Sequence, residues 1–308
     1  MNDTLQDKRI VDPVLTNIAR GYSNSAFIAK SLFPVVNVDK EGGKIPQFNK
    51  EAFRIYNTER AIRAKSNRIS PEGRSTIDFT LTEHDLEYPM DYRETQEDIF
   101  PLKIHATQVT TDGISLRHEK ICADLVQDLS SYPAGNKVTL SSADKFDNPA
   151  SNPFLIFDTA KEAIRGKIAK RPNVCLLGAL TYKALKNHPL ILDRIKYTQH
   201  AVITPDLLKN LLDFDELYVG DAVFATDSNS FSDIWLDNVI LAYVPKQNQE
   251  TPRSYYEPAF AYTLQKNGFP LVDTYVENGK VTLVRNTNIF TAKIVGSDAG
   301  YLINDTNA

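Results

Sequence analysis

Between residues 40 and 100 the chain carries a block of positive charge followed at once by a block of negative charge, over a stretch poor in core-forming side chains. Residues 40–75 hold nine basic groups (Lys40, Lys44, Lys50, Arg54, Arg60, Arg63, Lys65, Arg68, Arg74) against four acidic ones, a net of +5. Residues 76–100 hold eight acidic groups (Asp78, Glu83, Asp85, Glu87, Asp91, Glu94, Glu97, Asp98) against Arg93 alone, a net of −7. Strand-like pieces flank the reversal: Lys44–Phe48, and Thr76–Leu81 with Ile77, Phe79 and Leu81 alternating against polar partners. Between them AIRAKSNRISPEGRS (61–75) has no apolar period. Two strands joined by a long polar tip describe a projecting hairpin. Such a hairpin is marginal alone and needs a surface to lie on. Either its strands neutralise one another, or its halves meet neighbours of opposite charge. The sequence is compatible with both.

The longest helical pattern follows. Pro101 stands where helices start. Ile114, Ile121, Leu125 and Leu129 recur with helical spacing, His118 shares their face, and Tyr132-Pro133-Ala134-Gly135 ends the run. Thr107–Thr111 and Gly113 weaken its middle. Continuous from Leu102 to Ser130, this helix would span about 43 Å, the length of a spine. Residues 136–152 are polar and carry Pro149, a domain boundary. Beyond it the pattern alternates: helix over Phe154–Lys170, a buried strand NVCLL (173–177), helices from Thr181 interrupted at Pro189, and a helix start at Thr204-Pro205-Asp206. Strand-like runs LYVG (217–220), AVFAT (222–226) and NVILAYV (238–244) complete a compact α/β unit over 151–250. It too carries opposed charge, +7 over 160–200 and −7 over 206–240, which suits head-to-tail packing in a ring or plain internal pairing. Residues 251–308 return to β, with Asn278-Gly279 as a hairpin turn.

Chemistry is harder to find. The 308 residues are 42% hydrophobic and 24% charged, an ordinary globular composition for one or two domains. No apolar run approaches the 18 or so residues of a membrane span. The first ten residues have no apolar signal core, so a cytosolic origin is expected. Phosphate-loop, dinucleotide, zinc-protease and nucleophile-elbow motifs are absent. Cys122 and Cys175 are too few for a disulfide framework. His118 and Cys122 lie four apart on the long helix, but no neighbours complete a metal set, so a packed helix face is the better reading. Cys175 reads as core. No catalytic, metal or cofactor-binding residue is assigned. A net charge of −4 argues against nonspecific grip on nucleic acid.

The order of parts is that of a known family. DPVLTNIARGYSNSAFIAKSLFPVVNVDKEGGKIPQFNKEAF (12–53), RAKSNRISPEG (63–73) and PNVCLLGALTYKALKNHP (172–189) resemble the major capsid proteins of tailed bacteriophages, which share the HK97 fold. The resemblance covers nearly the whole chain, and its specificity lies in the order of the motifs. It implies an α+β chain with an N-terminal arm (1–40) reaching a neighbour and an extended hairpin, the E-loop (41–100), lying over the adjacent subunit. It further implies a spine helix and following loop in a P-domain (101–150), an α/β A-domain (151–250), and C-terminal strands returning to the P-domain (251–308). Intersubunit contacts are then expected from Arg60, Arg63, Lys65, Arg68, Arg74, Asp78, Glu83, Asp85 and Glu87.

The resemblance implies self-assembly into pentamers and hexamers of a shell around double-stranded DNA, held without sequence-specific contacts. Portal and decoration proteins are further expected partners. The motif begins within a dozen residues of Met1, which leaves no room for an attached scaffolding segment, so a separate scaffolding protein is expected. Some relatives crosslink through Lys–Asn bonds. Nothing in the spacing singles out Lys65 or Asn67 for this, and no such site is carried over. Two other readings stand beside it: a cytosolic α/β enzyme, which would show a clustered polar pocket, and another virion component such as a decoration or tail protein, which would form rings, trimers or tubes.

Overall fold

The structure is a computed structural model and describes residues 11–47, 55–68, 75–97, 101–196, 203–225, 230–246 and 254–307. Asp12 starts the first helix. Its carboxylate accepts from the amides of Val14 and Leu15 and Pro13 fills the first turn, so α1 runs Pro13–Gly21. A one-turn helix α2 (Ala29–Leu32) and a strand β1 (Val35–Val38) follow. Leu15, Ala19, Leu32, Phe33 and Val36 are buried. From Val11 to Val38 the segment packs against its own subunit, with these apolar side chains buried there.

The hairpin is short where it is paired: β2 (Gly42–Pro46) against β3 (Thr76–Thr80), Gly42 opposite Thr80. The acidic half does not prolong it. β4 (Thr82–Asp91) leaves the hairpin for the main sheet, and a short helix α3 (Tyr92–Glu97) follows. Next comes the spine, α4 (Leu102–Gln127), one helix of 26 residues and about 39 Å. It ends at Asp128, whose carboxylate accepts from the Ser130 amide to start a 3₁₀ turn. The threonines of its middle return their hydroxyls to the helix: Thr107, Thr110 and Thr111 donate to the carbonyls four residues back. A Cβ at Gly113 would sit 2.5 Å from a terminal methyl of Leu86 on β4, a partly exposed side chain that would have to move aside. The buried stripe differs from the one expected. Ile114 and His118 are on it, but it continues through Cys122 and Val126 with Glu119 and Ala123 beside them, while Ile121, Leu125 and Leu129 are only half-buried. Two sheets crowd this helix, and small side chains fit the tightest face.

The rest of the chain supplies β5 (Lys137–Thr139), α5 (Pro153–Ile168), β6 (Val174–Gly178), α6 (Ala179–Asn187), α7 (Pro189–Ile195), α8 (Pro205–Leu211), β7 (Glu216–Gly220), β8 (Val223–Ala225), β9 (Phe231–Asp233), β10 (Val239–Ala242), β11 (Ala261–Lys266), β12 (Leu271–Glu277), β13 (Val281–Ile294) and β14 (Gly300–Asn304). β13 organises the first sheet. β4 pairs along one edge of it, and β12 and then β11 pair along the other, with β1 parallel to β11. Asn278 and Gly279, both with positive φ, make the β12–β13 turn. The second sheet runs β5-β14-β10-β6-β7. Its inner strands are apolar on both faces. Val174, Leu176, Ile240 and Ala242 pack towards α4, and Cys175, Leu177, Val239 and Leu241 pack against α5–α8. β14 belongs here and not with the spine's sheet, since Tyr301, Leu302 and Ile303 are buried and need cover on two faces.

Candidate functional site

Four of the expected contact residues lie on the hairpin tip. Every described tip residue, 55–68, is exposed. The tip is nonetheless tied. Asn67 Nδ2 donates to the carbonyls of Asn57 (2.8 Å) and Glu59 (3.0 Å), and the Ala64 amide donates to Ala61 O (3.1 Å) across Arg63, which takes a left-handed φ of 69°. Arg60 Nη1 donates to Ala64 O. Arg60, Arg63, Lys65 and Arg68 form no ion pair among the described residues. Ile55 and Ile62 stand beside them at 97% and 92% exposure, apolar side chains on an otherwise charged projection. Arg74 lies outside the described residues.

The acidic set lies elsewhere. Asp78 on β3 is 3.9 Å from Lys44 across the hairpin, and both are well exposed, a geometry that contributes little. Glu83, Asp85 and Glu87 occupy alternate positions on β4 and so share one face, away from His84, Leu86, Tyr88 and Met90. On that face Arg285 grips Asp273 with two bonds (Nε–Oδ1 3.2 Å, Nη2–Oδ2 2.7 Å) and lies 3.9 Å from Glu87. Glu87 also accepts from the Tyr275 hydroxyl (2.8 Å), and that bond raises the phenol's pKa. Glu83 and Asp85 form no ion pair among the described residues. Within one subunit, then, the basic tip and the acidic row are not brought together. Lys44–Asp78, on the paired strands of the hairpin, is the one ion pair between the 40–75 and 76–100 charge blocks among the described residues.

Side chains that could serve catalysis have other duties. Ser151 Oγ lies 3.2 Å from His188 Nε2, a pairing not foreseen in the sequence. His188 Nδ1 accepts from the Leu190 amide (3.2 Å) to cap α7, so the proton is on Nε2 and the ring donates towards Ser151 and Asn148 O. A donating nitrogen cannot take the serine proton. His118 Nε2 bonds Thr263 Oγ1 (2.8 Å) and lies 3.5 Å from Cys122 Sγ. Burial brings His118 down to about 4 and pushes the Cys122 thiol up, leaving two neutral groups in the core. Burial likewise pushes up the thiol of Cys175. No cluster of three ligating side chains could hold a metal ion among the described residues. None of the described helices is long and apolar enough to cross a membrane.

One residue escapes the sequence reading altogether. Glu119, next to His118 on α4, is 1% exposed, and its carboxylate accepts from the amides of Ile28 and Ala29 and from the Trp235 indole. A lone acidic residue in a helical pattern gives no signal of partners some 90 and 116 positions away.

Comparison with known proteins places this geometry. Residues 28–280 match the family of phage major capsid protein E. The chain is 53% identical over 303 residues to the major capsid protein of Burkholderia phage BcepMu, covering 98% of this chain and 99% of that one. The crystal structure of a phage-related protein from Bordetella bronchiseptica RB50 superposes with a TM-score of 0.83 at 37% identity, covering 97% and 98% of the two chains. The mature capsid of bacteriophage PhiM1 shares the fold at a TM-score of 0.53 and 12% identity, covering 94% and 89%.

Proposed function

The chain belongs to the phage major capsid protein E family, and from that premise we propose that its shell is joined by charge exchanged between neighbours. It is a structural protein of the phage head, built on the HK97 fold. In the proposed contact the basic tip of one subunit, Arg60, Arg63, Lys65 and Arg68, lies along Glu83, Asp85 and Glu87 of the next, with Arg74 and Asp78 at its margin. The observation that carries this is the presence, on one chain, of two exposed sets of opposite charge that are not paired with each other among the described residues. Such a surface is complementary to a second copy of itself, displaced, and a displaced contact repeats into rings. Pentamers and hexamers are those rings. The cargo is double-stranded DNA held without sequence-specific contacts, in keeping with a net charge of −4. Scaffolding, portal and decoration proteins are its partners in assembly, in the host cytoplasm.

A charge swap tests the contact. Arg60→Glu, Arg63→Glu and Lys65→Glu together should leave a folded subunit by circular dichroism but no closed shells by negative-stain electron microscopy. The protein would be made both alone and with the neighbouring open reading frames. Adding Glu83→Lys and Asp85→Lys should restore shells. Normal shells from the triple variant, or no recovery on the swap, would refute it.

A further inference from the structure

Three parts of the chain meet at one buried carboxylate. Glu119 projects from the middle of the spine helix. Its Oε1 accepts from the Ile28 amide (2.9 Å) and from Trp235 Nε1 (2.8 Å), and its Oε2 accepts from the Ala29 amide (2.8 Å). The first and third donors begin α2, which has no side-chain cap of its own. The second donor is on the segment between β9 and β10, in the unit built on the second sheet. Trp235 is fully buried and cannot shift easily, for its ring fills the space a Cβ would need at Gly220, 2.4 Å away. Gln127, two turns along the spine, holds the same segment again. Its Nε2 donates to Ile234 O (2.9 Å) and its Oε1 accepts from Asn238 Nδ2 (2.8 Å).

Burying a carboxylate is a poor way to gain stability, because desolvation opposes what the bonds return. Burial does raise this carboxyl's pKa, against the pull of its three donors and of Lys30. What a carboxylate gives that an apolar side chain cannot is direction: two oxygens in a plane, one shared by donors from the arm and from the Trp235 segment, the other held by the arm alone. We propose that Glu119 is a latch, a positioning residue that holds the arm, the spine and the second-sheet unit in one mutual setting so that every subunit enters the shell alike. This rests on the chain being a shell subunit. With the latch broken, the start of α2 loses its acceptor, and arm and second-sheet unit vary independently from copy to copy.

Glu119→Gln tests it. An amide can still accept from Ile28 and Trp235, but it turns an N–H towards the Ala29 N–H. In the unassembled subunit, tryptic cleavage after Lys30 should be at least ten-fold faster than in the wild type, and the shells formed should be mixed in size. Trp235→Phe removes one donor and leaves both arm bonds, so its cleavage rate should stay at the wild-type value. Wild-type cleavage or single-sized shells from Glu119→Gln would overturn the latch. So would equal acceleration in both variants, the mark of general loosening. Should Glu119→Gln fail to fold, hydrogen exchange of the wild-type subunit decides. The Ile28 and Ala29 amides should exchange at least 100-fold more slowly than that of Ser25, and equal rates would overturn the proposal. Cleavage and exchange are read before assembly, so a wild type that forms no shells would count against the shell reading and not against the latch.

Discussion

His118 lies at the centre of the spine with its ring edge-on to Phe290, 5.1 Å between centroids, and its Nε2 on the Thr263 hydroxyl. Burial, with the positive charge of Lys30 and His84 adding to it, lowers its pKa from 6.5 to about 4. The folded value is the lower one, so as pH falls the unfolded chain takes up the proton first. Stability that is whole above pH 6.5 is therefore lost between about 6.5 and about 4, by roughly 3 kcal/mol at most. His84, stacked on Phe290 at 4.3 Å and also lowered by burial, has the same sign. Glu119 has the opposite sign. Its pKa is raised by burial, so the folded state binds that proton more readily and its contribution grows as pH falls. A single substitution separates these effects. In His118→Gln the amide can keep the Thr263 bond but does not titrate. The urea midpoint of the wild type should fall more steeply with pH from 6.5 to 4 than that of the variant, and parallel curves would refute the assignment.

Among elements, those that were legible from sequence are those whose burial is uniform or whose ends carry local chemistry. NVCLL reads as a strand because β6 is covered on both faces and Val174, Cys175, Leu176 and Leu177 are all apolar. Thr204-Pro205-Asp206 reads as a helix start because the Thr204 hydroxyl does accept from the Leu207 amide. Asp12-Pro13 carries the same signal for α1. Partners across long separations were not legible. Nothing local in β4 says that it pairs with β13 some 200 residues on, or that β14 enters the second sheet. The basic tip was legible as a projection, and its exposure has a consequence. Residues 55–68 are exposed and none belongs to a core cluster, so their removal takes nothing from the core. Replacing residues 58–67 with a short Gly-Ser linker should leave the subunit's melting temperature within about 2 °C of the wild type, a surface-sized effect, while stable shells are lost. A large fall in melting temperature, or normal shells, would show that the tip acts within its own subunit.

At the scale of the whole molecule, the tip mixes two forces that salt affects in opposite ways. Arg60, Arg63, Lys65 and Arg68 act over distance, and their reach shrinks from about 10 Å at 0.1 M salt to about 3 Å at 1 M. Ile55 and Ile62 act only on contact, each worth roughly 1.5–3 kcal/mol when fully covered, and this term is not screened. Charge should therefore govern how fast subunits find one another, and apolar cover how long they stay. The initial assembly rate, followed by light scattering, should fall at least ten-fold between 0.05 and 0.5 M sodium chloride. Shells already closed should survive transfer to 0.5 M, and sulfate should strengthen them further. Ile62→Ser, which leaves the charges in place, should assemble at close to the wild-type initial rate in low salt but shed subunits on dilution, as seen by sedimentation. If salt leaves the wild-type rate unchanged, the charged tip is not what brings neighbours together. If Ile62→Ser shells are as durable as the wild type, the exposed isoleucine stays in water in the assembled head.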